Sequence, residues 1–196
     1  MAARASAVVT VAVELDVTAL ADHAVAAARA AAGEAPLPPA QHVIHVRAAL
    51  EHLLADARAQ TPSLVERTRA ALPDGVELEL LEQTHRGPVA TSTARFKLVD
   101  VVLLPQLALA SSAGEDVVAR PLESFKVTRT PDAITVVGEL PVTPAPQQAN
   151  ARTVLTLESG VAVKKHNAPN VDGNRLTWET TAGSGPVMVQ VTLQRR

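Results

Sequence analysis

Pro73-Asp74-Gly75-Val76-Glu77-Leu78-Glu79-Leu80 is where this chain changes its period. Upstream, Val43, Val46, Leu50, Leu53, Leu54 and Ala57 recur at the 3.6-residue spacing of a helix lying on a core. Downstream, Val76, Leu78 and Leu80 alternate with Glu77 and Glu79, which gives a strand with one apolar and one wet face. Pro-Asp-Gly ends the helical half, because proline removes a donor and glycine opens the turn. Helices grouped before this point and strands after it predict an α+β fold, a mainly antiparallel sheet covered on one face by helices.

Outward from that switch, a first strand is expected over 7–15, where Val9, Val11, Val13 and Leu15 alternate with Thr10, Ala12 and Glu14. Asp16 or Thr18 then caps an Ala-rich helix that stops at Gly33 and the Pro36/Pro38/Pro39 cluster. A long helix is predicted over 40–59, and Thr61 with Pro62 at the first helical position starts another. Strands are expected at 76–80 and 88–99, then a short helix over 100–110, and a hairpin of 125–129 and 133–140 about Thr130-Pro131-Asp132. A proline-rich bridge (Pro141, Pro144, Pro146) leads to strands near 152–158, 160–166 and 175–180 and a closing strand over 187–193. Residues 159–178 read as strand, polar loop, Asp172-Gly173-Asn174 turn and strand, with Leu176, Trp178 and Thr180 on one face. The chain reads as one domain over 1–196, with a helical, proline-containing insertion at about 17–41. A small β subdomain over 142–196 is the alternative, disfavoured by its size.

Composition excludes several functions. Hydrophobic residues make up 47% of the chain but aromatics only 2%, so the core relies on small side chains. The formal net charge is −2 with interspersed signs, and neither a basic stripe nor stacking rings argue for nucleic acid. Without cysteine there is no disulfide, thiolate metal site or cysteine nucleophile. The most apolar run, Leu98 to Ala110, is interrupted by Asp100, Pro105 and Gln106 and is too short to span a membrane.

Catalytic motifs are absent: there is no G-x-S-x-G, Walker A, G-x-G-x-x-G or H-E-x-x-H pattern, so no enzyme and no cofactor is expected. Ser184, between two glycines, reads as a turn; Glu77, Glu79 and Glu82 could form a carboxylate cluster, yet period-two spacing makes the first two the wet face of a strand. His42, His45, His52 and Asp56 share one side of the long helix, yet the pairs lie two to three turns apart and no metal site is expected. Lys164-Lys165-His166 is the one compact basic patch, read either as a solvated hairpin end or as a contact for anionic lipid or an anionic partner. Phe96, Phe125 and Trp178 read as core residues, or as the lining of a cavity that small neighbours leave unfilled.

Gly160-Val161, Asn167 and then Asp172-Gly173-Asn174 up to Trp178 resemble the C-terminal hairpin of the LppM-like family of bacterial envelope lipoproteins. The likeness extends to Pro73/Gly75/Val76/Leu78, to Phe96 and Asp100, and to Pro121-Leu122 through Phe125–Arg129 with Ile134–Val136 and Gly138. It covers roughly residues 46–193. It implies a helix over a curved antiparallel sheet, an extracytoplasmic domain membrane-anchored in the full-length protein, and lipid or glycolipid as partner. On that implication Phe125 and Trp178 line an apolar site, and Lys164, Lys165 and Arg175 meet the head group. The family's lipidated cysteine is missing; Arg4-Ala5-Ser6-Ala7 has the shape of a lipobox with Ala7 in its place, and Gln194-Arg195-Arg196 would suit a stop before a membrane helix. The competing expectation is a structural or protein-interaction module with a filled core and no ligand.

Overall fold

The computed structural model describes residues 4–111, 122–142 and 150–194. Pro121, Pro144, Pro146, Arg195 and Arg196, named above, lie outside them. The fold is α+β, with antiparallel pairing throughout two sheets. In chain order the strands are β1 (Ala7–Asp16), β2 (Val76–Arg86), β3 (Val89–Leu98), β4 (Lys126–Arg129), β5 (Ala133–Leu140), β6 (Ala151–Ser159), β7 (Val163–His166), β8 (Asn170–Asp172), β9 (Arg175–Thr181) and β10 (Val187–Gln194). The helices are α1 (Thr18–Ala31), α2 (Pro39–Ala71) and α3 (Leu104–Ser111), the last preceded by a 3-10 turn over Val101–Leu103.

The larger sheet runs β2-β3-β1-β6-β9-β8 and the smaller β4-β5-β10-β7. Alternation decides what each buries. Along the register, Leu81, Ala94, Val11, Leu155 and Trp178 form one inward row of the larger sheet, next to Leu78, Phe96, Val9, Leu157 and Leu176. Ile134, Val136 and Leu140 of β5 and Val189, Val191 and Leu193 of β10 form the buried face of the smaller sheet. Both sets belong to a single buried cluster, joined by Leu104 and Leu107 of α3, so the two sheets face each other across one core. The last third of the chain is shared between them, since β6 pairs with β1 in one sheet and β10 with β5 in the other.

Two glycines make room that no other residue would. Gly75 ends the α2–β2 turn at φ 87°, a conformation L side chains rarely adopt, and a β-carbon there would lie 2.7 Å from Val99. Gly138 sits under the ring of Phe125, where a β-carbon would approach ring carbons to 2.5 Å. Asp100 is buried, accepts a hydrogen bond from the Val102 amide and pairs with Arg129, which fixes the 3-10 turn to β4.

Four expectations are corrected. The 160–166 and 175–180 strands are not partners: β7 pairs with β10 in the smaller sheet, and β9 pairs across the Asp172-Gly173-Asn174 turn with β8. Leu80 is turned out, 38% exposed, because the β2 register shifts between Leu78 and Leu80 and Leu81 takes the inward position instead. Pro62 does not begin a helix but lies inside α2, whose Thr61 hydroxyl donates to the Ala57 carbonyl and reaches Gln83 of β2. Finally, the Val43/Leu50/Leu54 stripe does not lie buried on the sheet. No residue of α2 is buried, Val43 is 67% exposed, and the helix meets the sheet further along, where Arg58 contacts His85, Thr61 meets Gln83, and Val65 and Leu72 pack on the core. Upstream of that, α2 has α1 as its packing neighbour, with His42 against Asp22, and His42, Val46, Ala49, Leu50, Leu53 and Leu54 are half-exposed.

Candidate functional site

Trp178 is fully buried, and its indole nitrogen donates to Oδ1 of Asn167 at 2.9 Å. The same oxygen accepts from the Gln190 amide at 2.8 Å, while Asn167 Nδ2 donates to the Met188 carbonyl at 2.8 Å. The loop between β7 and β8 therefore ties β9 of one sheet to β10 of the other through one side chain. Phe125 is also buried, its ring laid on Gly138. The two rings predicted to line a site belong to the same core cluster, with their faces and polar atom engaged within the fold. Asn167 carries the hub that residue-level reading missed; its place in a loop before a turn was visible, but the partner two strands on was not.

The three basic residues do not converge on those rings. Lys164 and Lys165 are exposed on β7, an edge strand, and Lys164 Nζ donates to the Asp132 carbonyl at 3.0 Å. Arg175 alternates with Leu176 and so lies on the outward face of β9, opposite Trp178. That outward face is a field of ion pairs: Lys97 with Glu77, Arg95 with Glu79 and Glu158, and Arg152 with Glu14 and Glu179. Arg152 grips Glu179 through two nitrogens at 2.7 and 2.8 Å. That double hydrogen bond holds the Glu179 carboxyl below its usual range and raises the guanidinium in turn. A cleft of about 300 Å³ opens beside this network, lined by Glu14, Asp16, Asn150, Ala151 and Arg152.

The histidines disperse. His42 contacts Asp22 of α1 at 2.5 Å, and His52 faces Asp56 one turn on at 3.6 Å. Among the described residues no three metal-ligating side chains converge. Ser184 exchanges hydrogen bonds with the Thr181 backbone, closing the β9–β10 turn. Ala7, the position that matches a lipidated cysteine, is buried in β1 between Leu98 and Ser159.

Among the described residues the most exposed large apolar side chains are on α2. Val43 and Ile44 are each 67% exposed on a helix none of whose residues is buried. A cavity of about 180 Å³ lies nearby in the elbow between α1 and α2, lined by Val25, Ala26, Ala30, Pro36, Leu37 and His42. Compared with family models, curated proteins and solved structures, the chain has no significant match.

Proposed function

We propose that this chain is a non-enzymatic protein-interaction module of an envelope protein, built as a filled two-sheet core that presents a helical surface. The observation that supports it best is α2: 33 residues with none buried, carrying Val43 and Ile44 two-thirds exposed. A helix with that much uncovered apolar surface is ordinarily completed by a partner. The core supports the same reading, because Trp178 and Phe125 are used in packing. The envelope setting is supported by the LppM-like resemblance.

A second reading, lipid or glycolipid binding, is favoured by that resemblance and by the exposed Lys164-Lys165 pair on an edge strand. Titrating a phospholipid and glycolipid panel while following Trp178 fluorescence and heat separates the two. The interaction module gives a flat response. Saturable binding with a shifted Trp178 emission, weaker toward anionic lipid in the K164A/K165A variant, replaces it with the lipid reading.

A further inference from the structure

The free face of α2 has a palindromic order. At 100° per residue, Ala40, Val43, Ile44, Arg47, Glu51, Leu54, Ala55 and Arg58 fall within an arc of about 120°. The half-exposed His42, Val46, Ala49, Leu50 and Leu53 lie on a different side, and Leu54, also half-exposed, belongs to the arc. Within the free arc, Val43, Ile44, Arg47 and Glu51 are exposed, and Arg47 Nε donates to Glu51 Oε1 at 3.3 Å in open solvent, the two side chains 81% and 69% exposed. From end to centre the arc therefore reads apolar pair, base, and then, in mirrored order, acid and apolar pair.

From this we infer that the face from residue 43 to 55 of α2 is a homodimer contact, made with a second copy of this chain across a two-fold axis level with Ala49. This rests on the interaction-module reading and names its partner. An antiparallel second helix centred there sets Arg47 against Glu51 of the second copy and Glu51 against its Arg47. The same register sets Val43 against Ala55 and Ile44 against Leu54 of the second copy, apolar against apolar. An isologous contact needs this self-complementarity, each patch meeting its own image. A parallel arrangement places Arg47 on Arg47 and Glu51 on Glu51, which opposes it. With α1 on the far side of each α2, the four helices stand in a row, α1, α2, α2 and α1, with the seam on Ile44 and Leu54 between the two copies of α2.

Sedimentation equilibrium of the full chain tests this. Because the contact is shorter than a standard interface, the expected dissociation constant is in the tens of micromolar, about. I44K, at a solvent-exposed site, keeps the circular dichroism of the parent and weakens association by at least about tenfold. R47E and E51R each weaken self-association several-fold, roughly. Mixed together, R47E and E51R give a heterodimer tighter than either homodimer, which the intrahelical Arg47–Glu51 pair has no means to produce. A wild-type chain that is monomeric at about 0.5 mM overturns the dimer whatever the lipid titration gives, because a contact of this size holds at that concentration. So does a mixture no tighter than its components, or I44K-sensitive binding of the monomer to phosphatidylglycerol vesicles. Saturable lipid binding reported by Trp178 in a chain that does dimerise overturns the filled-core reading alone.

Discussion

Trp178 and Asn167 sit eleven residues apart in the chain and share a hydrogen bond of 2.9 Å between the indole N–H and Oδ1. It gives the one large polar ring in the core its only donor a partner. Asn167 is itself at the surface, so the bond marks where β9 and β10 are clasped from outside. Asn167→Ala leaves a buried N–H and the Gln190 amide to whatever water reaches them. It should cost about 1–2 kcal/mol in urea unfolding, the lower part of the penalty for an unmade buried hydrogen bond. Asn167→Asp keeps the acceptor and should cost less. Equal losses for the two variants would show that the Nδ2 contact to Met188, not the Trp178 bond, carries the effect.

What the sequence made legible was governed by local period and turn chemistry. The alternation at Val9/Val11/Val13 and at Val189/Val191/Leu193 gave strands whose buried faces are the observed ones. Gly33, Gly75 and Asp172-Gly173-Asn174 marked real turns. Which strands pair was not local information. Residue order alone makes 160–166 and 175–180 the arms of one hairpin, but β8 lies between them and the chain crosses between sheets at Asn167 and Ala168, which nothing in residue order records. The apolar stripe of α2 has the spacing of a core-facing helix, yet none of its residues is buried, because α2 packs on α1 and β2 rather than across the sheet. Of the site residues, Phe125 and Trp178 were legible as core aromatics, and Arg175 fell on the far face because β9 alternation puts Leu176 and Trp178 inward.

Pro62 misled because a proline after Thr61 looks like a helix start, and in isolation it would be. In the fold it sits inside α2, where it removes the N–H that would bond the Arg58 carbonyl. Thr61 turns its hydroxyl to the Ala57 carbonyl and to Gln83 of β2, so tertiary contacts hold the helix through the break. Pro62→Ala restores the missing bond. It should raise stability by about 1–2 kcal/mol, the interior cost of proline less the unfolded-state entropy that proline removes. Hydrogen exchange should slow across 58–66. A destabilised variant would mean that Pro62 is a compatible boundary between two helices.

The Arg152–Glu179 pair gives the outer face a pH dependence of known sign. Hydrogen bonding to Arg152 lowers the folded-state pKa of Glu179 below its unfolded value. Its contribution is therefore fully present above the ordinary carboxylate range and is lost as pH falls through the lowered folded-state value. Both side chains are partly exposed, 45% and 35%, so solvent screening keeps the contribution to at most about 1 kcal/mol. Glu179→Gln removes it. Unfolding free energies of wild type and E179Q should differ by that small amount at neutral pH and converge in strong acid, with 0.5 M salt narrowing the neutral-pH gap. A difference that instead grows as pH drops would mean that Glu179 titrates above its unfolded value, and that burial of the carboxyl outweighs the hydrogen bonds from Arg152.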